Sequence, residues 1–145
     1  NILSFFASRK IDKERILFAE NISSYEEHVS RYNSADIFLD TFNYNGHSTL
    51  VECIWSELPF VTLVGKSFSS RVGGSILHSL DLDELICKST EEYIEKVVFY
   101  SSNKQKLEAL KNRINIQKKS GLFFNQEVFT KNLEEVYENI IKTHY

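Results

Sequence analysis

A short polar segment at positions 45–49 has the residue types of an anion-binding site. It reads Asn-Gly-His-Ser-Thr and follows an apolar run and a loop, where we predict that a helix begins. The first N–H groups of a helix have no partner within it and the helix dipole is positive at this end, so an anion is stabilised there. The hydroxyls of Ser48 and Thr49 would add donors. His47 could donate another hydrogen bond, and Gly46 would permit close approach. A diphosphate fits this arrangement; an ordinary helix cap beside a surface histidine fits the same residues.

Two further polar residues lie where a nucleoside could be contacted. Glu52 follows Ser48 by one helical turn, and its carboxylate could accept hydrogen bonds from both hydroxyls of a ribose. His28 lies early in another predicted helix, after an earlier apolar run. It could stack beside a base, although a surface histidine with no ligand fits that position as well.

Other chemistries find less support in the residue spacing. Residues 65–67 read Gly-Lys-Ser, but Phe60 stands where a Walker A loop requires glycine, which argues against a nucleoside triphosphate site. Asp40 ends a predicted strand, so a signalling receiver domain is a rival; however, Glu20 is alone at the first strand end and no strand-ending lysine follows. The cysteine and histidine spacing matches no metal site, so we expect no metal.

The pattern of apolar residues predicts the elements that position these groups. Runs at 16–19, 35–40 and 60–64 are typical of strands buried on both faces. Helical spacing or capping signals occur over seven stretches: 2–8, 24–34, 46–57, 67–80, 90–100, 103–119 and 125–144. The alternation predicts an α/β fold, a Rossmann-like parallel sheet with flanking helices. Ligands bind beyond the carboxyl ends of such strands, where the segment 41–49 lies.

Composition narrows the class of protein. The chain has 145 residues, 42% of them hydrophobic and 26% charged, which predicts one globular domain. The net charge of −3 argues against nucleic acid or an anionic membrane as a partner. No apolar run reaches about 18 residues, so we expect no membrane span. Two cysteines suggest a reducing compartment, and we expect a cytoplasmic location.

Three features predict that the chain is a fragment truncated at its N-terminus. It contains no methionine, and it opens inside a predicted helix. Three strands are also few for a doubly wound sheet, which usually has five or six. We therefore interpret residues 1–145 as part of one lobe, with the last helix, 125–144, packing back across the fold.

Several ordered motifs together resemble one known family. They share their order and spacing with the C-terminal catalytic half of the O-GlcNAc transferases, which are related to SPINDLY-type fucosyltransferases and to bacterial enzymes that modify adhesins. The matching segments are 26–29, 35–41, 45–49, 58–62, 70–72 and 121–125. The likeness runs from about Arg15 to Tyr145, which makes it more specific than any single motif.

The resemblance implies the C-terminal lobe of a GT-B glycosyltransferase, which binds a nucleotide sugar and transfers it with inversion and without a metal. By position it assigns the donor contacts: His47, Ser48 and Thr49 at the diphosphate beside Gly46, Glu52 at the ribose, His28 beside the uracil, and the backbone between Ser23 and Tyr25 at the uracil edge. The nucleotide sugar is then a substrate, and no cofactor is implied.

Two positions depart from the O-GlcNAc transferase pattern. Tyr25 replaces a lysine that contacts the nucleoside, and Glu52 replaces an aspartate, as it does in SPINDLY-like members. His47 favours a UDP-sugar over GDP-fucose. We expect UDP-GlcNAc or a UDP-hexose as donor and a protein or peptide as acceptor, bound through a lobe that precedes Asn1. A catalytically inactive nucleotide-sugar-binding or interaction module of the same fold is the alternative.

Overall fold

Three parallel strands form the centre of the fold in a computed structural model that describes residues 1–144. The strands are β1 (Phe38–Leu39), β2 (Phe60–Leu63) and β3 (Ile86–Cys87), and they lie side by side in the order β1-β2-β3. Phe38 is level with Phe60 in the first pair, and Thr62 is level with Ile86 in the second. Each strand therefore ends at the same edge of the sheet, as the prediction of a parallel α/β fold requires.

Seven helices surround or follow this sheet among the described residues. They are α1 (Ile2–Ser8), α2 (Tyr25–Ser30), α3 (Ser48–Trp55), α4 (Val72–Ser79), α5 (Thr90–Ser101), α6 (Lys104–Ser120) and α7 (Gln126–His144). Single 3-10 turns occupy Lys13–Arg15, Arg31–Ser34 and Asp83–Leu85. Helix α3 connects β1 to β2 and helix α4 connects β2 to β3, so both crossovers are helical, as parallel pairing demands.

The hydrophobic core lies on both sides of the middle strand. Phe60, Val61 and Thr62 of β2 are completely buried, which is why this strand reads as a continuous apolar run. The helices and loops that cover it contribute buried aliphatic side chains: Leu50, Ile54, Leu58, Leu77, Leu80, Leu82, Leu85, Leu110 and Ile114. The sheet and the helices α3, α4 and α6 thus form one packed unit that can hold the strand ends rigidly.

Polar caps define where two of the long helices begin. The side chain of Ser89 accepts a hydrogen bond from the N–H of Glu92 at the start of α5. Asn103 does the same for Lys106 at the start of α6. Such caps satisfy N–H groups that have no partner inside a helix. They explain why the sequence predicted two separate helices, over 90–100 and 103–119.

Two strands differ from those expected from the sequence: one predicted strand is wrong, and one observed strand was missed. The strand predicted over 16–19 is wrong: this segment is irregular, Leu17 is 90% exposed, and it pairs with no strand among residues 1–144. An apolar run becomes a strand only when a neighbour supplies hydrogen-bond partners. The missed strand is β3, only two residues long and too short for any periodicity. The other strands and all seven helices are confirmed, with ends that shift by several residues at most.

Helix α7 presents an apolar face that the rest of the described chain does not bury. Its residues Phe129, Val136 and Ile141 are each more than half exposed. Only the residues just before it, Phe123 and Phe124, pack against the core. The expected packing of this helix across the fold therefore stays a prediction. Across residues 1–144, none of the helices is both long and apolar enough to pass through a bilayer.

Both thiols are expected to resist labelling in the folded chain. Cys53 and Cys87 are completely buried, and burial raises the pKa of the Cys53 thiol to about 12 and that of Cys87 to about 11. Because the thiolate is the reactive form, an aromatic disulfide reagent should label neither thiol in native buffer and both in concentrated guanidinium chloride. Rapid labelling of either thiol under native conditions would contradict this packing.

Candidate functional site

The carboxyl ends of β1 and β2 are tied together by a buried carboxylate. Asp40, the residue after β1, is only 3% exposed. One of its oxygens accepts hydrogen bonds from the N–H groups of Gly46 (2.8 Å) and Thr41 (2.9 Å), and the other accepts from the hydroxyl of Thr62 (2.6 Å). Burial raises the pKa of the Asp40 carboxyl, while these hydrogen bonds oppose that change. Asp40 thus fixes the loop that leads into helix α3.

Asn45 joins the same loop to helix α4. Its side chain is completely buried; the amide donates to the carbonyl of Thr41 (2.8 Å) and accepts from the N–H of Gly73 (3.2 Å). Its own N–H donates to the carbonyl of Ser69 (2.9 Å), in the loop after β2. Asn45 and Asp40 therefore hold the two loops at the strand ends in one arrangement. This buried polar network was not predicted from the sequence, although a polar residue directly after an apolar run is the signal that could have revealed it.

The start of helix α3 carries free hydrogen-bond donors, as predicted for residues 45–49. His47 occupies the N-cap position without a side-chain cap. Among residues 1–144, no acceptor is hydrogen-bonded to the N–H groups of His47, Ser48 or Thr49, or to the hydroxyls of Ser48 and Thr49. No acidic residue lies in the first turn. This end of the helix therefore keeps its positive dipole end and its donors available for an anion.

Aromatic side chains hold the ring of His47. The ring stacks on Tyr44, with 4.9 Å between centroids and 13° between planes, and meets the edge of Phe68 at 6.4 Å. Its Nε2 atom is buried and has no partner among the described residues. Tyr44 and Phe68 are themselves mostly exposed, so they surround the helix terminus with an open aromatic surface. The stacking fixes the ring beside the free donors of the next two residues.

Glu52 and His28, which lie 24 positions apart in the sequence, are brought together through Tyr32. The Tyr32 hydroxyl donates to Glu52 Oε2 at 2.9 Å, and His28 Nε2 lies 3.5 Å from the same oxygen. Half-exposed His28 meets Tyr32 edge to face, with 5.7 Å between ring centroids. Glu52 stands one turn along α3 from Ser48. The predicted ribose and base contacts therefore face each other, and Tyr32 is a participant that the sequence did not reveal.

Ser23 and Tyr25 are placed at the beginning of helix α2, shortly before His28. Both are exposed, and Tyr25 opens the helix behind the capping residue Ser24. Neither side chain forms a hydrogen bond with another described residue, so their assignment to the base stays a prediction. No cluster of three or more metal-binding side chains is found within residues 1–144.

The fold and the candidate site define a class of protein. It is a Rossmann-like α/β lobe in which a helix start has free hydrogen-bond donors for an anion and the carboxylate of Glu52 lies one turn along the same helix. Comparison with known proteins shows to which family within this class the chain belongs. Residues 1–133 match the model of glycosyl transferase family 41, and the chain belongs to that family.

Named relatives agree with this membership. The chain is 30% identical over 144 residues to a UDP-N-acetylglucosamine--peptide N-acetylglucosaminyltransferase of Caenorhabditis elegans, covering 99% of the chain and 12% of the relative. It is 32% identical over 142 residues to the probable transferase SEC of Arabidopsis thaliana, covering 97% of the chain and 14% of the relative. The chain thus spans only a small part of these relatives.

A solved structure of a Thermobaculum terrenum O-GlcNAc transferase mutant superposes with a TM-score of 0.88. The sequences are 28% identical, and the match covers 95% of this chain and 26% of that one. The fold described above is therefore a lobe of the O-GlcNAc transferase type, which confirms the resemblance stated from the motifs.

Proposed function

We propose that this chain is the nucleotide-sugar-binding part of a glycosyltransferase that moves a sugar from a UDP-sugar to a protein or peptide. The observation that carries the proposal is the start of helix α3, where free N–H groups and hydroxyls stand one turn from Glu52. Family membership supports a glycosyltransferase. The names of the relatives include UDP-N-acetylglucosamine and peptide, which supports a UDP-sugar as donor and a protein or peptide as acceptor.

In the proposed complex, the diphosphate lies against His47, Ser48 and Thr49. Gly46 adjoins these residues, and a Cβ there would lie 3.0 Å from the buried side chain of Leu50, so glycine lets the loop pack closely against the start of helix α3. Glu52 accepts from the ribose hydroxyls, and His28 lies beside the uracil at the mouth of the site. The backbone between Ser23 and Tyr25 completes the base contact.

The mechanism that we propose for this part of the enzyme is electrostatic. Negative charge grows on the diphosphate as the bond to the sugar breaks, and fixed donors stabilise it more than they stabilise the substrate. We assign this role to the helix terminus, without a metal, and expect inversion at the sugar carbon. We assign the acceptor site, and the group that removes the proton of the acceptor, to parts of the protein outside these residues. We also propose that the enzyme is cytoplasmic.

Calorimetry of UDP binding to the full-length protein tests this proposal. We expect His47→Ala and Glu52→Ala each to weaken UDP binding about tenfold or more, because each removes a hydrogen bond to a charged or ordered partner. The exposed residues His78 and Glu95 provide matched controls, and His78→Ala and Glu95→Ala should bind UDP normally.

Two results would count against the proposal. If the full-length protein does not bind UDP at millimolar concentration, the nucleotide site is wrong. If it binds UDP but transfers no sugar to any peptide, the alternative of an inactive nucleotide-sugar-binding module replaces the transferase.

A further inference from the structure

The carboxylate of Glu52 is held by a residue from a different part of the chain. Tyr32 lies in the 3-10 turn Arg31–Ser34 that follows α2, whereas Glu52 is on α3. The hydroxyl of Tyr32 donates to Glu52 Oε2 at 2.9 Å, and the Glu52 side chain is only 21% exposed. The contact thus links the helix of the proposed base contact to the helix of the proposed diphosphate contact.

Because of this hydrogen bond, the two carboxylate oxygens of Glu52 differ in their surroundings. Oε2 receives the Tyr32 hydroxyl and lies 3.5 Å from His28 Nε2. Oε1 has no hydrogen-bond partner among residues 1–144. A carboxylate oxygen can accept two hydrogen bonds, so Oε1 retains the capacity for both hydroxyls of a ribose.

We propose that Tyr32 is a positioning residue that orders the Glu52 carboxylate so that Oε1 faces the ribose hydroxyls of the nucleotide. The inference rests on the proposed function. Glutamate has one more rotatable bond than aspartate, and ordering it only on ligand binding would weaken the complex. Tyr32 fixes this longer side chain before the ligand arrives.

Tyr32 is suited to this role because it remains a donor. Burial, together with the hydrogen bond to Glu52 and the charge of that residue, raises the pKa of the Tyr32 hydroxyl. The hydroxyl therefore stays protonated throughout the neutral range and can donate to Glu52 Oε2. The ring of Tyr32 packs against the core, so it presents the hydroxyl from a fixed direction.

The test is Tyr32→Phe in the full-length protein, which removes the hydroxyl and keeps the ring. We expect UDP binding to weaken about tenfold and the binding of 2′,3′-dideoxyuridine diphosphate, which has no ribose hydroxyls, to be unchanged. Tyr100→Phe is the matched control: Tyr100 also packs against the core, and its hydroxyl makes no hydrogen bond with another described residue. Its affinity for both ligands should equal that of the parent.

A double substitution separates positioning from a general structural effect. If Tyr32 acts through Glu52, adding Tyr32→Phe to Glu52→Ala should change UDP affinity no further. Equal weakening of UDP and the dideoxy ligand by Tyr32→Phe, or unchanged UDP binding, would overturn this inference while leaving the proposed function intact. A parent protein that fails to bind UDP would overturn both.

Discussion

Replacing Asp40 with alanine is expected to lower the free energy of unfolding of the chain by about 4 kcal/mol. The carboxylate accepts from the N–H groups of Gly46 and Thr41 and from the hydroxyl of Thr62. Alanine would leave these donors without an acceptor at a position that is only 3% exposed, and each stranded buried donor costs about 1–3 kcal/mol. Urea denaturation followed by circular dichroism measures the loss.

Asp40→Asn separates the hydrogen bonds from the charge. The asparagine carbonyl oxygen can still accept from Gly46 and Thr41, and its amide can donate to the Thr62 oxygen. We therefore expect this variant to lose about 1 kcal/mol, much less than the alanine variant. Equal losses in the two variants would show that the charge, and not the set of acceptors, stabilises the loop.

The stability contributed by Asp40 is also expected to depend on pH. Burial raises the pKa of the folded-state Asp40 carboxyl above its ordinary value. Between these two values the folded chain binds more protons than the unfolded chain, so the contribution of Asp40 to stability falls as pH rises through that window. The Asp40→Asn variant lacks this titration, and its stability relative to the parent should therefore rise across the same window.

The helix terminus that carries the candidate site could be predicted because it depends on local patterns. A helix start preceded by a glycine and followed by hydroxyl residues is visible within 45–49, and the spacing of Ser48 and Glu52 fixes one helical turn. The fully buried strand β2 is equally visible as an apolar run. These features follow from residues that are close in the sequence, and the structure confirms each of them.

The parts that could not be predicted depend on partners far away in the sequence. Tyr32 meets Glu52 across 20 positions, and Asn45 meets Gly73 across 28. The segment 16–19 has the composition of a strand, but pairing is a property of the neighbour and not of the segment. Strand β3 has two residues, and its place in the sheet comes from hydrogen bonds to β2. A single sequence does not identify the distant residue that completes such a contact.

Gly73→Ala is expected to destabilise the chain by about 3 kcal/mol, although alanine is the better helix former. Gly73 is buried in α4, and a Cβ there would lie 2.5 Å from Thr62 Oγ1 and 2.7 Å from Asp40 Oδ2. Those two atoms are hydrogen-bonded to each other, so neither can move aside without breaking the network at the strand ends. Ser75→Ala, at an exposed position on the same helix, should change stability by less than about 0.5 kcal/mol. Urea denaturation compares the two, and a Gly73→Ala variant as stable as the parent would show that α4 does not pack this closely against β2.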